Sequence, residues 1–327
     1  MMQIDSIIIG LLTASAVLAH NHEKHDDSHH LHHHHHLHHR RDLSDAPHGC
    51  GFQAPDVHSI EEMAVAQQER LSLAQYEQER RSNSNNRLFR CNPEDDIDDE
   101  DFGPENGGFV NITTYIHAIQ KDNETGFLSD EILQENIDIT NELLLSTGFQ
   151  LNVVATNRVV DKTWYDSEWN TVEQNNREKK HRKGGFKTLN VYYKAARMFG
   201  GRYCGYANLA ENAKVMGKGD GIVVDTDCAT DKTTLAHEVG HWLNLLHTFD
   251  GGCSPGDLVD DTNAQSWYYG RTFGACPNPL PDSCPDRPGV DPLDNIMDYA
   301  PLGCDDVFTE GQARRMREAW RNIRSRS

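Results

Sequence analysis

The chain has 327 residues with 31 Lys+Arg against 51 Asp+Glu, a formal charge of −20 with histidine neutral. That length allows one large or two small domains with a sizeable core. The acidic balance argues against a nucleic-acid partner and an anionic membrane surface, and no apolar run of about 18 residues lies in the body to span a bilayer. Hydrophobic residues make up only 37%, with a mean hydropathy of −0.70, so part of the chain reads as polar sequence without a core of its own.

In chain order, Ile7 to Ala19 is a short apolar stretch with small residues at Ala14, Ser15, Ala16 and Ala19. It reads as a secretory leader cut after Ala19. His20 to His39 is a low-complexity tract. Thirteen of the 19 histidines fall in the first 48 residues, leaving His58, His117, His181, His237, His241 and His247. The tract reads equally as a metal chelator and as a spacer. Arg40-Arg41 and Arg80-Arg81 are dibasic pairs of the kind that processing proteases cut. Residues 58–81 carry a helical pattern. Glu94 to Asp101 holds seven acids in eight residues and reads as a linker, followed by Gly103-Pro104 and Gly107-Gly108.

The texture changes at Phe109. Phe109 to Ile119 alternates apolar and polar residues as a half-buried strand does. Ser129 to Ser146 reads as an amphipathic helix with Ser129 as N-cap and Gly148 past its end. Phe149 to Val160, Lys187 to Tyr193 and Gly221 to Asp225 read as further strands. Thr230 to Asn244 reads as helix. Thr309 to Arg324 reads as a terminal helix opened by Thr309-x-x-Gln312, a capping-box pattern. Strands mixed with long helices predict an α/β or α+β domain of about 220 residues.

The strongest chemical signal is HEVGHWLNLLH, His237 to His247. Positions i and i+4 share one helix face, so His237 and His241 can aim nitrogens at one ion, with Glu238 close enough to reach a water there. A straight helix would carry His247 about 600° round and about 9 Å along, away from that ion. His247 joins only if the chain turns sharply at Asn244. Asparagine is the best non-glycine residue for the positive φ such a turn needs. Three neutral imidazoles leave a fourth zinc position for water, as catalytic sites require. Asn295-Ile296-Met297-Asp298-Tyr299 follows downstream. Eight cysteines and a leader read as a disulfide set, and no C-x-x-C pair suggests a cysteine zinc site. Asn111-Ile112-Thr113 and Asn123-Glu124-Thr125 are glycosylation sequons.

From about Phe109 onward the chain resembles the pappalysin type of metzincin, particularly its short secreted fungal branch. The resemblance rests on HEVGHWLNLLHTFDGGC, on Gly256-Asp257-Leu258-Val259-Asp260-Asp261-Thr262, on Asp282-Ser283-Cys284-Pro285, on Asn295 to Tyr299, and on Phe308-Thr309-x-Gly311-Gln312. The metzincin pattern HExxHxxGxxH has glycine where this chain has Asn244. The resemblance implies a metzincin-like zinc protease domain with a mixed twisted sheet, an active-site helix and a C-terminal helix. It implies zinc on His237, His241 and His247, Glu238 as general base, Tyr299 near the metal, and Met297 as a floor under the histidines. It also implies the bridges Cys253–Cys284 and Cys276–Cys304; Cys204 and Cys228 flank strand-like segments and form a candidate third pair. Cys50-Gly51 before Pro55-Asp56 resembles the cysteine-switch segment of other metzincins, the alternative being a Cys50–Cys91 disulfide. Calcium near Asp257, Asp260, Asp261 and Thr262 is implied as well, the alternative being a solvated acidic loop. Family members often carry an acid before the cysteine matching Cys304, favouring a basic residue after the scissile bond. Here that position is Gly303, with Asp305 and Asp306 after the cysteine, so that preference does not carry over.

The expected organisation is a leader at 1–19, a histidine-rich segment at 20–41, a helical and acidic segment at 42–108 and the metzincin domain at 109–327. The expected activity is that of a secreted zinc endopeptidase, monomeric, acting on protein or peptide substrates without nucleic acid or membrane. The alternative is a secreted metal-sequestering protein with an inactive metzincin-like domain.

Overall fold

Alternation of apolar and polar residues forms β1, Val110–Gln120, in which Ile112, Thr114 and Ile116 turn inward while Asn111 and Thr113 face solvent. From Ile116 to Ile119 every residue is buried, because a second neighbour strand flanks β1 from Thr114 onward. The computed structural model describes residues 108–266, 276–299, 304 and 307–326. The leader, the histidine tract, both arginine pairs, the 58–81 pattern, the acidic linker, Cys50, Cys91, Gly303, Asp305 and Asp306 lie outside the described residues.

The main sheet has five strands in the order β2-β1-β3-β7-β6, where β2 is Phe149–Val160, β3 Leu189–Lys194, β6 Gly205–Ala207 and β7 Ile222–Asp225. β2, β1, β3 and β7 are parallel, and β6 pairs antiparallel with β7. β4, Ala196–Met198, and β5, Gly201–Tyr203, form a separate two-stranded ribbon. Every residue of β3 and β7 is buried. Central parallel strands read that way because both faces of the sheet are covered. On one face Ile112, Ile116, Val191 and Val224 meet Leu133 and Ile137 of α1, Asp130–Leu143, and Leu235, Val239 and Trp242 of α3, Thr234–Trp242. On the other, Ile119, Tyr192 and Val223 meet Trp164, Tyr165 and Tyr206. His117 lies in that second layer, stacked on Tyr192 at 4.7 Å, and burial pushes its pKa down to about 4.

Local signals account for most element ends. Ser129 caps α1, accepting from Ile132 N at 3.3 Å, and Gly148 takes φ 80° past the helix. The expected terminal helix is α4, Glu310–Ala319, followed by a π-turn at Trp320–Arg324. Its capping box is complete: Thr309 Oγ1 accepts from Gln312 N and Gln312 Oε1 accepts from Thr309 N. α2, Val172–His181, has no apolar stripe to betray it, since the residues it buries are Gln174 and Glu178. The three-residue strands β4, β5 and β6 are too short for a period-2 pattern to register.

The end of the chain is pinned under α3. Arg324 is fully buried, donates to Trp242 O at 3.0 Å and stacks over the Trp242 ring at 4.0 Å. Its charge is met by Asp220, whose Oδ2 also takes Arg182 at 3.0 Å. Removing the shared carboxylate leaves two guanidinium groups buried without it, the costly way to break such a pair. Asp220→Ala is therefore expected to lower unfolding stability by about 3–5 kcal/mol, measured by urea titration; a shift under about 1 kcal/mol, the range of an exposed pair, would contradict the role.

Candidate active site

Helix α3 carries His237 and His241 one turn apart on its inner face, with Glu238 beside them and fully buried. The helix then ends in a Schellman motif. Leu245 N donates to Gly240 O at 2.9 Å and Asn244 N donates to His241 O at 2.8 Å, with Asn244 at φ 76°. The asparagine thus adopts the left-handed conformation that glycine holds in the family motif. Its Oδ1 accepts from Glu211 N at 3.2 Å, and its carbonyl accepts from Arg315 of α4 at 2.8 Å. These contacts fix the reversal from both sides and return His247 to the helix.

The three histidines meet at their Nε2 atoms. His241 Nε2 lies 3.0 Å from that of His237 and 3.0 Å from that of His247. One ligand atom from each lies within 4.8 Å of the others, and no other such cluster of His, Cys, Asp or Glu occurs among the described residues. Tetrahedral zinc with bonds of about 2.0–2.1 Å separates its ligand nitrogens by about 3.3 Å, so the donor set fits that ion. Each Nδ1 is committed elsewhere: His237 donates to Ile296 O at 2.6 Å, His241 to Leu245 O at 2.8 Å, and His247 to the Asp250 carboxylate at 3.2 Å. This sets the tautomer that turns the Nε2 lone pairs inward. Burial and the neighbouring imidazoles push His237 well below its ordinary pKa and His241 down to about 3, the neutral form that a metal would need.

The segment Asn295 to Tyr299 closes the site from below. Met297 is fully buried against Gly240, where an added Cβ would stand 2.4 Å from Met297 Sδ. Only glycine allows that approach. Tyr299 stacks on His237 at 5.8 Å, and its hydroxyl lies 2.8 Å from His247 Nε2. Gly205 of β6 lies against Glu238 in the same manner, an added Cβ falling 2.7 Å from Oε1. Sequence reasoning missed Asp250, Gly205 and Gly240. Gly240 was legible as a glycine inside a helix, which calls for a packing reason; Gly205 and Asp250 carry no such signal.

Cys253–Cys284, Cys276–Cys304 and Cys204–Cys228 are all bonded. Of the acidic loop, Asp257 is buried and burial pushes its pKa up to about 7, while Asp260 and Asp261 are exposed. Asp261 accepts from Thr309 Oγ1 and Gly311 N, so it caps α4. Asn111 and Asn123 are exposed.

A sheet with one antiparallel edge, a helix bearing two histidines and a reversal that returns a third define the metzincin class of zinc proteins. Residues 173–321 match the peptidase family described as pregnancy-associated plasma protein-A. An extracellular metalloprotease of Verticillium alfalfae is 34% identical over 232 residues, spanning 68% of this chain and 81% of that protein. One from Pyricularia oryzae is 35% identical over 229 residues, spanning 66% and 77%. Mature mirolysin of Tannerella forsythia, solved with a cleaved peptide, shares the fold with a TM-score of 0.54 at 24% identity, over 66% of this chain and 96% of that one. The chain belongs to the pappalysin family.

Gly240→Ala is expected to force Met297 aside, destabilising the fold by about 1–3 kcal/mol through overpacking and weakening metal retention. Thermal melting with and without chelator reads both effects; a variant indistinguishable from the parent would contradict the contact.

Proposed function

We propose that the chain is a secreted zinc endopeptidase that hydrolyses peptide bonds of extracellular proteins, with His237, His241 and His247 as zinc ligands. The observation that carries the reading is the convergence of three inward Nε2 atoms with the Tyr299 hydroxyl beside them and Glu238 buried on the same helix. Bound zinc supplies Lewis-acid chemistry, lowering the pKa of water and polarising a peptide carbonyl. Glu238, one residue from His237, accepts the proton of the attacking water and passes it to the leaving amine. The Tyr299 hydroxyl donates to the carbonyl oxygen as negative charge develops there. Met297 and Gly240 hold the histidine pair from beneath. The presence of both Glu238 and Tyr299 at the histidines supports an enzyme over a metal-sequestering protein, which needs neither.

The leader pattern at 1–19, the disulfides and the extracellular relatives support secretion, with 20–41 and 42–108 preceding a catalytic domain at 109–327. Asn111 and Asn123 are exposed and accessible for glycosylation. The enzyme works as a monomer on protein and peptide substrates, without nucleic acid or membrane.

The test is casein hydrolysis by the secreted protein beside its Glu238→Ala variant, with zinc counted in both. Activity is expected to fall about 10²–10⁴-fold while zinc is retained. Equal hydrolysis by the two proteins would remove Glu238 from the role of base.

A further inference from the structure

His247 and Tyr299 stand on different loops, 52 residues apart, yet their Nε2 and hydroxyl lie 2.8 Å from each other. One buried amide spans the two loops. Thr248, next to His247, donates through Oγ1 to Gln265 Oε1 at 2.8 Å. Gln265 Nε2 donates to both oxygens of the Asp298 carboxylate, at 3.3 and 3.4 Å. Asp298 Oδ1 in turn accepts from Tyr299 N at 2.7 Å. A backbone bond, Thr248 N to Met297 O at 3.2 Å, runs alongside. Thr248, Gln265 and Asp298 are 1%, 0% and 3% exposed. A buried amide is costly unless its polar atoms are satisfied, and an apolar residue of similar size would fill the space without that requirement. Here the donor end of the amide meets a carboxylate and the acceptor end meets a hydroxyl, so the direction of the side chain is set.

We infer that Gln265 is a positioning residue that holds the His247 loop and the Tyr299 turn in mutual register, so that Tyr299 meets the reacting carbonyl. This rests on the proposed endopeptidase chemistry, in which Tyr299 acts on that carbonyl. The residue acts on the two loops through Thr248 and Asp298.

Gln265→Ala is expected to lower kcat about 10–100-fold, the usual cost of losing an outer partner of a metal site, with KM nearly unchanged. Gln265→Leu, which keeps the bulk, is expected to fare no better. Gln265→Glu and Asp298→Asn each spoil the donor–acceptor match. The double variant Gln265→Glu/Asp298→Asn reverses it, because the amide now at position 298 donates to the carboxylate now at position 265, and is expected to recover kcat to within a few-fold of the parent. A second readout needs no turnover: the visible band of the cobalt-substituted full chain, taken as a difference against His237→Ala to cancel cobalt held by the histidine tract. The band is expected to shift in Gln265→Ala and return in the double variant. Full activity in Gln265→Leu, or a double variant no better than the poorer single one, would overturn the inference. If the parent shows no Glu238-dependent hydrolysis, the endopeptidase reading fails separately. The cobalt band then decides: shift and recovery support the positioning role, and an unchanged band overturns it.

Discussion

Three imidazoles can share one ion only if the chain reverses direction between His241 and His247, and the geometry of the site follows from that reversal. Helix α3 supplies two of the imidazoles at no cost beyond helical spacing. The third requires a residue at positive φ three positions after His241, and Asn244 takes it at 76°. A non-glycine residue there costs roughly 1–2 kcal/mol, least for asparagine. The two Schellman hydrogen bonds and the contacts to Glu211 N and Arg315 offset that cost. The strain is local, and α4 and the 3-10 turn at Ala210–Asn212 over-determine it.

Once the reversal is made, each histidine is oriented by a different part of the fold. His237 depends on the turn that holds Met297, His241 on the reversal itself, and His247 on Asp250. The site is therefore a junction, and its accuracy is that of the packing which brings these segments together. That packing explains two glycines with no chemistry of their own. Gly240 admits Met297 beneath the helix, and Gly205 lets the edge strand β6 lie against Glu238. The Arg324–Asp220 pair extends the same logic to the C-terminal end of α3, fastening residue 324 to Trp242.

The three converging histidines were legible because their signal is short and periodic: i and i+4 on a helix, then a fixed return. Asn244 was legible because its backbone preference matches the turn. The strands β1, β2, β3 and β7 were readable from apolar patterning, to within one or two residues at their ends, and the terminal capping box stood in plain sight. What stayed hidden depends on contacts between distant segments. α2 buries glutamine and glutamate, so its inward face looks like an outward one. Asp250 reads as a loop acid until His247 is seen beside it. Gln265 reads as one polar residue among several until the loops close around it. The acidic loop divides in the structure, Asp257 turning inward while Asp261 caps α4.

The measurement that bears most directly on this account is a crystal structure of the zinc-soaked protein with anomalous data at the zinc edge. One peak is expected about 2.0–2.1 Å from the Nε2 atoms of His237, His241 and His247, with Tyr299 and Glu238 beside it. A map with no peak among these three nitrogens, or with zinc held by only two of them while His247 points away, would contradict it.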